Sequence, residues 1–178
     1  TWYNNNLKTY EKAIDDTVWC NDKTNVTDTS FDPWNLGDVN GLGYAKNVTY
    51  YGATQRLAST SGSAGGTGPS LKCNGELSKI NSKVGLITAD ELAYAGYATR
   101  LEYANTYLQE SASADWCSLS PGYFNGGRAG FWCVQGSTGG IGIKRMPSLT
   151  AVRPSISLKP STNVTGDGTS SSPYIISM

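Results

Sequence analysis

Residues Gly85 to Gly96, GLITADELAYAG, carry the signals for both ends of a helix. Thr88 is placed to cap the N-terminus, Glu91 three positions on completes a capping box, and Ile87 with Leu92 forms a hydrophobic staple. Gly96 supplies a left-handed stop. Leu92, Ala95 and Ala89 fall on one side, which predicts a locally specified helix docked on a body built from the rest of the chain. Asp90 and Glu91, like Asp15 and Asp16, read as solvated helix charge and not as a catalytic carboxylate pair.

Outward from this helix the chain divides unevenly. Toward the N-terminus, Leu7, Tyr10 and Ile14 recur at helical spacing and predict an amphipathic helix near Asn5 to Thr17, followed by Val18-Trp19-Cys20 leading into the core. From Asn21 to Pro69, Asp, Asn, Gly, Ser and Thr dominate, interrupted by Trp34 and by Tyr44 to Tyr51. This composition predicts long ordered loops with one flexible tract, 59–68. Toward the C-terminus a second helical stretch is predicted over Leu101 to Glu110. Short strands follow at Trp116 to Leu119, Ala129 to Gln135, Gly140 to Arg145, Val152 to Leu158 and Tyr174 to Ile176. Alternation in the second of these puts Phe131, Cys133 and Gln135 on one face and Trp132 and Val134 on the other, so one face is core and the other is available. Gly166-Asp167-Gly168-Thr169 has the chemistry of a hairpin turn, and one aspartate between glycines is too little to mark a calcium loop.

Composition excludes several function classes. A chain of 178 residues fits a single domain, 1–178. Lys plus Arg and Asp plus Glu number 14 each and do not cluster, so there is no electrostatic footprint for nucleic acid. Histidine is absent, which removes Ser-His-Asp and Cys-His nucleophile systems and every His-ligated zinc or iron site. No apolar run approaches the roughly 18 residues of a spanning helix. The four cysteines form no CxxC unit, so disulfides are expected, with three pairings open. The 11 Tyr and 5 Trp, set among Gly, Ser, Thr and Asn, match the mixture used by recognition surfaces, although aromatics also fill small cores.

The helix stretch, together with DWCSLSP (Asp115 to Pro121) and AVRPSISL (Ala151 to Leu158), resembles the formylglycine-generating-enzyme-like branch of the C-type-lectin fold. The resemblance extends to TVWCND (Thr17 to Asp22), PSLKC (Pro69 to Cys73), VRPSISLK and GDGTSSSPYII, a set similar to a family of uncharacterised bacterial surface proteins and spanning Trp2 to Ile176. It implies an α+β, C-type-lectin-like domain with two or three helices, small twisted antiparallel sheets and long ordered loops. It also implies Arg153 in the interior of a closing strand. The paired motifs TVWCND and PSLKC favour a Cys20–Cys73 bridge. Cys117 and Cys133, in neighbouring strand-like segments, make the second pair. Both bridges imply folding outside a reducing cytosol, hence an extracellular protein, cell-surface attached or secreted. The enzyme branch uses a cysteine pair near its C-terminus. No cysteine follows Cys133 here, so the fold is expected without the enzyme, and with no cofactor or metal. The Glu-Pro-Asn and Gln-Pro-Asp tripeptides of calcium-dependent lectins are also missing.

Function is expected between Pro121 and Pro147, where Tyr123, Phe124, Asn125, Arg128, Phe131, Gln135, Ser137, Lys144 and Arg145 alternate with glycines. In C-type-lectin-like binding proteins the equivalent region displays the ligand-contacting side chains. The expected function is a non-catalytic binding or adhesion module for a protein or glycan on another surface. The alternative is a structural pilin or surface-assembly subunit, self-assembling through a segment that precedes Thr1. A degenerate sulfatase-modifying-type enzyme ranks third.

Overall fold

In the computed structural model the described residues are 2–37, 39, 47–62, 65–78, 83–97, 106–110, 113–146 and 150–177. In chain order they form α1 (Trp2–Asn6), a 3-10 turn (Lys8–Tyr10), β1 (Trp19–Asn21), β2 (Thr49–Tyr50), α2 (Gly52–Leu57), β3 (Glu76–Ser78), β4 (Gly85–Leu86), α3 (Ala89–Tyr94), α4 (Tyr107–Glu110), β5 (Trp116–Asn125), β6 (Arg128–Val134), β7 (Ile141–Arg145), β8 (Pro154–Ser155), β9 (Asn163–Thr165) and β10 (Ile175–Ser177). The domain is mixed α+β, with short helices and antiparallel sheets.

The central helix forms as its sequence dictates. Thr88 Oγ1 accepts from Glu91 N at 3.2 Å, and the Glu91 carboxylate accepts from Thr88 N at 2.8 Å, which closes the capping box. At the other end Gly96 has φ +98°, Tyr97 N donates to Leu92 O and Gly96 N to Ala93 O, the two bonds of a Schellman stop. Leu92 and Tyr97 are both buried at that stop.

The SLSP segment then locks this helix to the main sheet. Ser118 and Ser120 face inward from β5. Ser120 Oγ accepts from Ala89 N at 2.9 Å, satisfying one of the amides that every helix start leaves without an intrahelical partner. Ser118 Oγ donates to Trp132 O at 2.9 Å, and Leu119 N donates to Ile87 O.

The main sheet is antiparallel in the order β2-β5-β6-β7. On its covered face Trp116, Trp132, Val134 and Ile141 pack with Ala53, Leu57, Leu92 and Tyr97 of the α2 and α3 region. A second cluster joins Tyr50 and Tyr123 to Val26, Phe31, Val39 and Val48, and Trp34 packs against both clusters. The polar 21–50 segment thus supplies core residues at wide intervals, which is why no periodicity marked them. Two disulfides close the structure: Cys20–Cys73 across a separation of 53, and Cys117–Cys133 directly across β5 and β6.

Four expectations need correction. Residues 5–17 are not one helix: after α1 and the 3-10 turn, fully buried Ile14 bridges to Leu158, Asp15 N donates to Ser157 O and Lys159 N to Ala13 O. Tertiary strand-like pairing at Ala13 to Asp15 overrides the helical spacing of Leu7, Tyr10 and Ile14. Val152 to Leu158 is not a core strand; only Pro154–Ser155 pairs, with β4, and Val152 is 72% exposed. Asp90 is buried rather than solvated. In the tract predicted to be flexible, the described residues are bonded to α2: Thr67 N donates to Gln55 O and Gly68 N to Arg56 O. Gly66 lies so close that a Cβ would stand 2.3 Å from Gln55 O. Of the predicted 101–110 helix, residues 101–105 lie outside the described residues, and α4 forms at its end.

Candidate functional site

The site is built on β5, β6 and β7 of the main sheet. Gly126 and Gly127, at φ +53° and +84°, make the two-residue turn between β5 and β6, a conformation with positive φ at both positions that suits glycine. Behind the turn, Ile143 of β7 lies flat across the sheet, in space left by two glycines. A Cβ on Gly122 would stand 2.4 Å from Ile143 Cδ1, and one on Gly130 would stand 2.6 Å from Ile143 Cγ2. Tyr123 sits beside it, edge-on to Tyr50 with ring centroids 6.2 Å apart and 6.2 Å from Trp34.

Hydrogen bonds fix this aromatic wall. Tyr50 Oη donates to Asp32 Oδ1 at 2.5 Å, and the same carboxylate accepts from Leu36 N and Gly37 N. Burial works against the Asp32 charge, but these donors hold its carboxyl below the usual range. Burial and the Asp32 charge push the Tyr50 phenol well above its ordinary value, so it stays a neutral donor. Arg145 Nε donates to Tyr123 Oη at 2.7 Å, and its guanidinium lies 6.0 Å from the Tyr123 ring centre.

Between this wall and β7 runs a groove of about 690 Å³, lined chiefly by Trp34, Leu36, Tyr123, Trp132, Ile143 and Arg145, with Gln135 and the glycines of 140–142 at one end. Three of the nine residues singled out in the sequence, Tyr123, Gln135 and Arg145, therefore meet in one groove. The others do not line it. Asn125 donates to Leu36 O at 3.3 Å and steadies the wall from outside. Phe124 is half-buried opposite Thr49, Arg128 is exposed beside the Gly-Gly turn, and Ser137 is exposed in the β6–β7 connection. Lys144 points to the opposite face and pairs with Asp115. Phe131, on that face too, lines a second groove of about 460 Å³ with Pro121, Leu119, Tyr51, Asn25 and Lys23. Trp34, Leu36 and Ile143 were missed. Trp34 was the one visible signal, a large aromatic in an otherwise polar stretch.

A second polar cluster lies away from the groove. Arg56 Nε and Nη2 donate to the two oxygens of Asp90 at 2.6 and 2.7 Å, and Nη2 also donates to Asp22 at 2.8 Å. Ser70 N adds a bond to Asp90 at 2.9 Å. Burial opposes the charge on Asp22, but Thr24 and Arg56 hold its carboxyl low; burial likewise opposes the Arg56 charge, and the two aspartates hold it in place. The adjoining cavity is only about 40 Å³ and is lined in part by the Cys20–Cys73 bridge. This cluster clasps α2, α3 and the residue after β1. It brings the TVWCND, PSLKC and GLITADE motifs together through Asp22, Ser70 and Asp90. Arg153, expected inside a closing strand, instead sits half-buried, donates to Leu108 O and lies 4.9 Å from the Trp116 ring centre.

No family model matches this chain, and neither a curated protein nor a solved structure matches it.

Proposed function

We propose that this domain is a non-catalytic extracellular binding module, of C-type-lectin-like architecture, that engages a protein or glycan on another surface through the groove beside β7. The observation carrying this reading is the groove itself: an aromatic wall held by the Asp32–Tyr50 bond, a floor shaped by Gly122 and Gly130 under Ile143, and Arg145 oriented by Tyr123 at the rim. Such a surface is preorganised, and rigid aromatic and arginine side chains are the groups that dominate binding energy. The two disulfides support an oxidising compartment. Among the described residues, no helix is long and apolar enough to cross a membrane.

The test is binding of the full chain to immobilised oligosaccharide and peptide arrays, with Trp34→Ala and Arg145→Ala compared with Phe131→Ala on the opposite face. Loss with the first two alone supports the groove; equal loss with all three, or with Phe131→Ala alone, rules it out.

A self-assembling surface subunit is the second reading. One observation favours it, an apolar groove of about 570 Å³ lined by Trp2, Trp19, Val84, Leu86, Val152 and Pro154. Sedimentation at rising protein concentration separates the two: a constant monomer opposes assembly.

A further inference from the structure

β7 forms one edge of the main sheet, and the groove follows it from Gly140 to Arg145. Gln135 N donates to Gly140 O and Met146 N to Ala129 O, both at 2.9 Å, while the register between them sets Cys133 opposite Gly142 and Phe131 opposite Lys144. Antiparallel bonding alternates along a strand, so the main-chain groups of Gly142 and Lys144 turn toward β6. Those of Ile141, Ile143 and Arg145 therefore turn outward. Among the described residues no strand or isolated bridge pairs with that side of β7.

Natural sheets usually blunt an open edge with proline, a bulge or a central charge. Ile141-Gly142-Ile143 has none of these, and its pairing with β6 runs without a register shift. Charge appears only at the end next to the Gly-Gly turn. Arg145 faces Gly130, and alternation puts exposed Arg128 on that same face two residues earlier.

We infer that the partner is an extended peptide segment of another protein, which adds to β7 as a fifth strand. It bonds to the outward groups of Ile141 and Ile143, seats alternate side chains in the Trp34–Ile143 groove, and carries an acidic side chain near Arg145 and Arg128. This is strand addition, in which main-chain bonds give affinity and pockets for alternate side chains give specificity. The inference rests on the reading of the groove as the binding surface.

The experiment pans a phage-displayed library of linear peptides on the full chain and resynthesises the recovered sequences with one N-methylated amide at a time. N-methylation removes a donor from the peptide and leaves the protein untouched, so folding of a variant does not enter. The expected result is a loss of about tenfold or more at every second position and little loss between them. Amide exchange at Ile141 and Ile143 slows in the complex. Arg145→Glu shifts the recovered peptides from acidic to basic. Peptides that bind without any alternation in the N-methyl series, yet lose binding with Trp34→Ala, overturn strand addition and leave the groove as the binding surface. So does recovery of oligosaccharides alone through a Trp34-dependent site. Absence of groove-dependent binding in both the peptide library and the oligosaccharide array overturns both readings.

Discussion

Replacing Asp90 with alanine removes the partner that holds Arg56 between α2 and α3. The side chains of Arg56, Asp90 and Asp22 are 13%, 5% and 10% exposed, so water does not replace what is lost. Asp90→Ala deletes two charge-assisted bonds from the guanidinium and the acceptor for Ser70 N, and leaves Asp22 as the ion-pair partner at 2.8 Å. Breaking a buried pair by removing one member costs about 3–5 kcal/mol, and the retained Asp22 contact places this case near the lower figure, about 3 kcal/mol. For a chain of this size that loss lowers the melting temperature by about 6–12 °C. Denaturant unfolding followed by tryptophan fluorescence measures it, with a double-mutant cycle through Arg56→Met and Asp90→Leu. With Asp22→Asn added, so that no carboxylate is left facing an absent guanidinium, the triple variant should lose less than Asp90→Ala, because no charge is stranded. An Asp90→Ala loss within about 0.5 kcal/mol of the parent would refute the clasp as a structural element.

Gly130→Ala should cost about 1–3 kcal/mol by pushing a methyl group against Ile143 and Tyr123, and Ile143→Ala introduced with it should restore part of the loss; equilibrium unfolding of the three proteins checks both statements. Replacing Cys20 and Cys73 together by serine removes a bridge spanning 53 residues and should cost about 4 kcal/mol by chain entropy, read as a fall in denaturant midpoint. Burial opposes the Asp32 charge, but the donors around it hold its carboxyl below the ordinary carboxylate value in the folded chain, so its contribution to stability is complete above that ordinary value and disappears as pH falls through the lower, folded one. Unfolding free energy measured across acidic pH should decline less steeply for Asp32→Asn than for the parent.

What could be read from the sequence follows the range of the interactions. The capping box and stop of α3 were legible because Thr88, Glu91 and Gly96 act within one or two turns. The β6 alternation is seen through Val134, with Trp132 and Val134 buried against the helices and half-buried Phe131 on the other face, but Gln135 lies past the strand end and lines the groove beside Trp132, not the Phe131 face. The cysteine pairing followed from motif order and is the pairing observed. Asp90 was misread because its partner Arg56 stands 34 residues away, in a stretch with no pattern of its own. The N-terminal helix failed at Ile14, whose spacing suits a helix but whose burial comes from Leu158. Half of the candidate groove escaped for a similar reason. Tyr123, Gln135 and Arg145 were visible on neighbouring strands, whereas Trp34 and Leu36 reach the groove from far upstream through the Asp32 turn.

The central claim is that the β7 side of the sheet grips a foreign ligand, and amide hydrogen exchange on the full chain, alone and saturated with a ligand recovered from the peptide or oligosaccharide screen, tests it most directly. Slowed exchange confined to 34–36 and 140–145 is the predicted result. Protection at Lys23 to Asn25 and Phe131, or at the β9–β10 hairpin, with 140–145 unchanged, would contradict it.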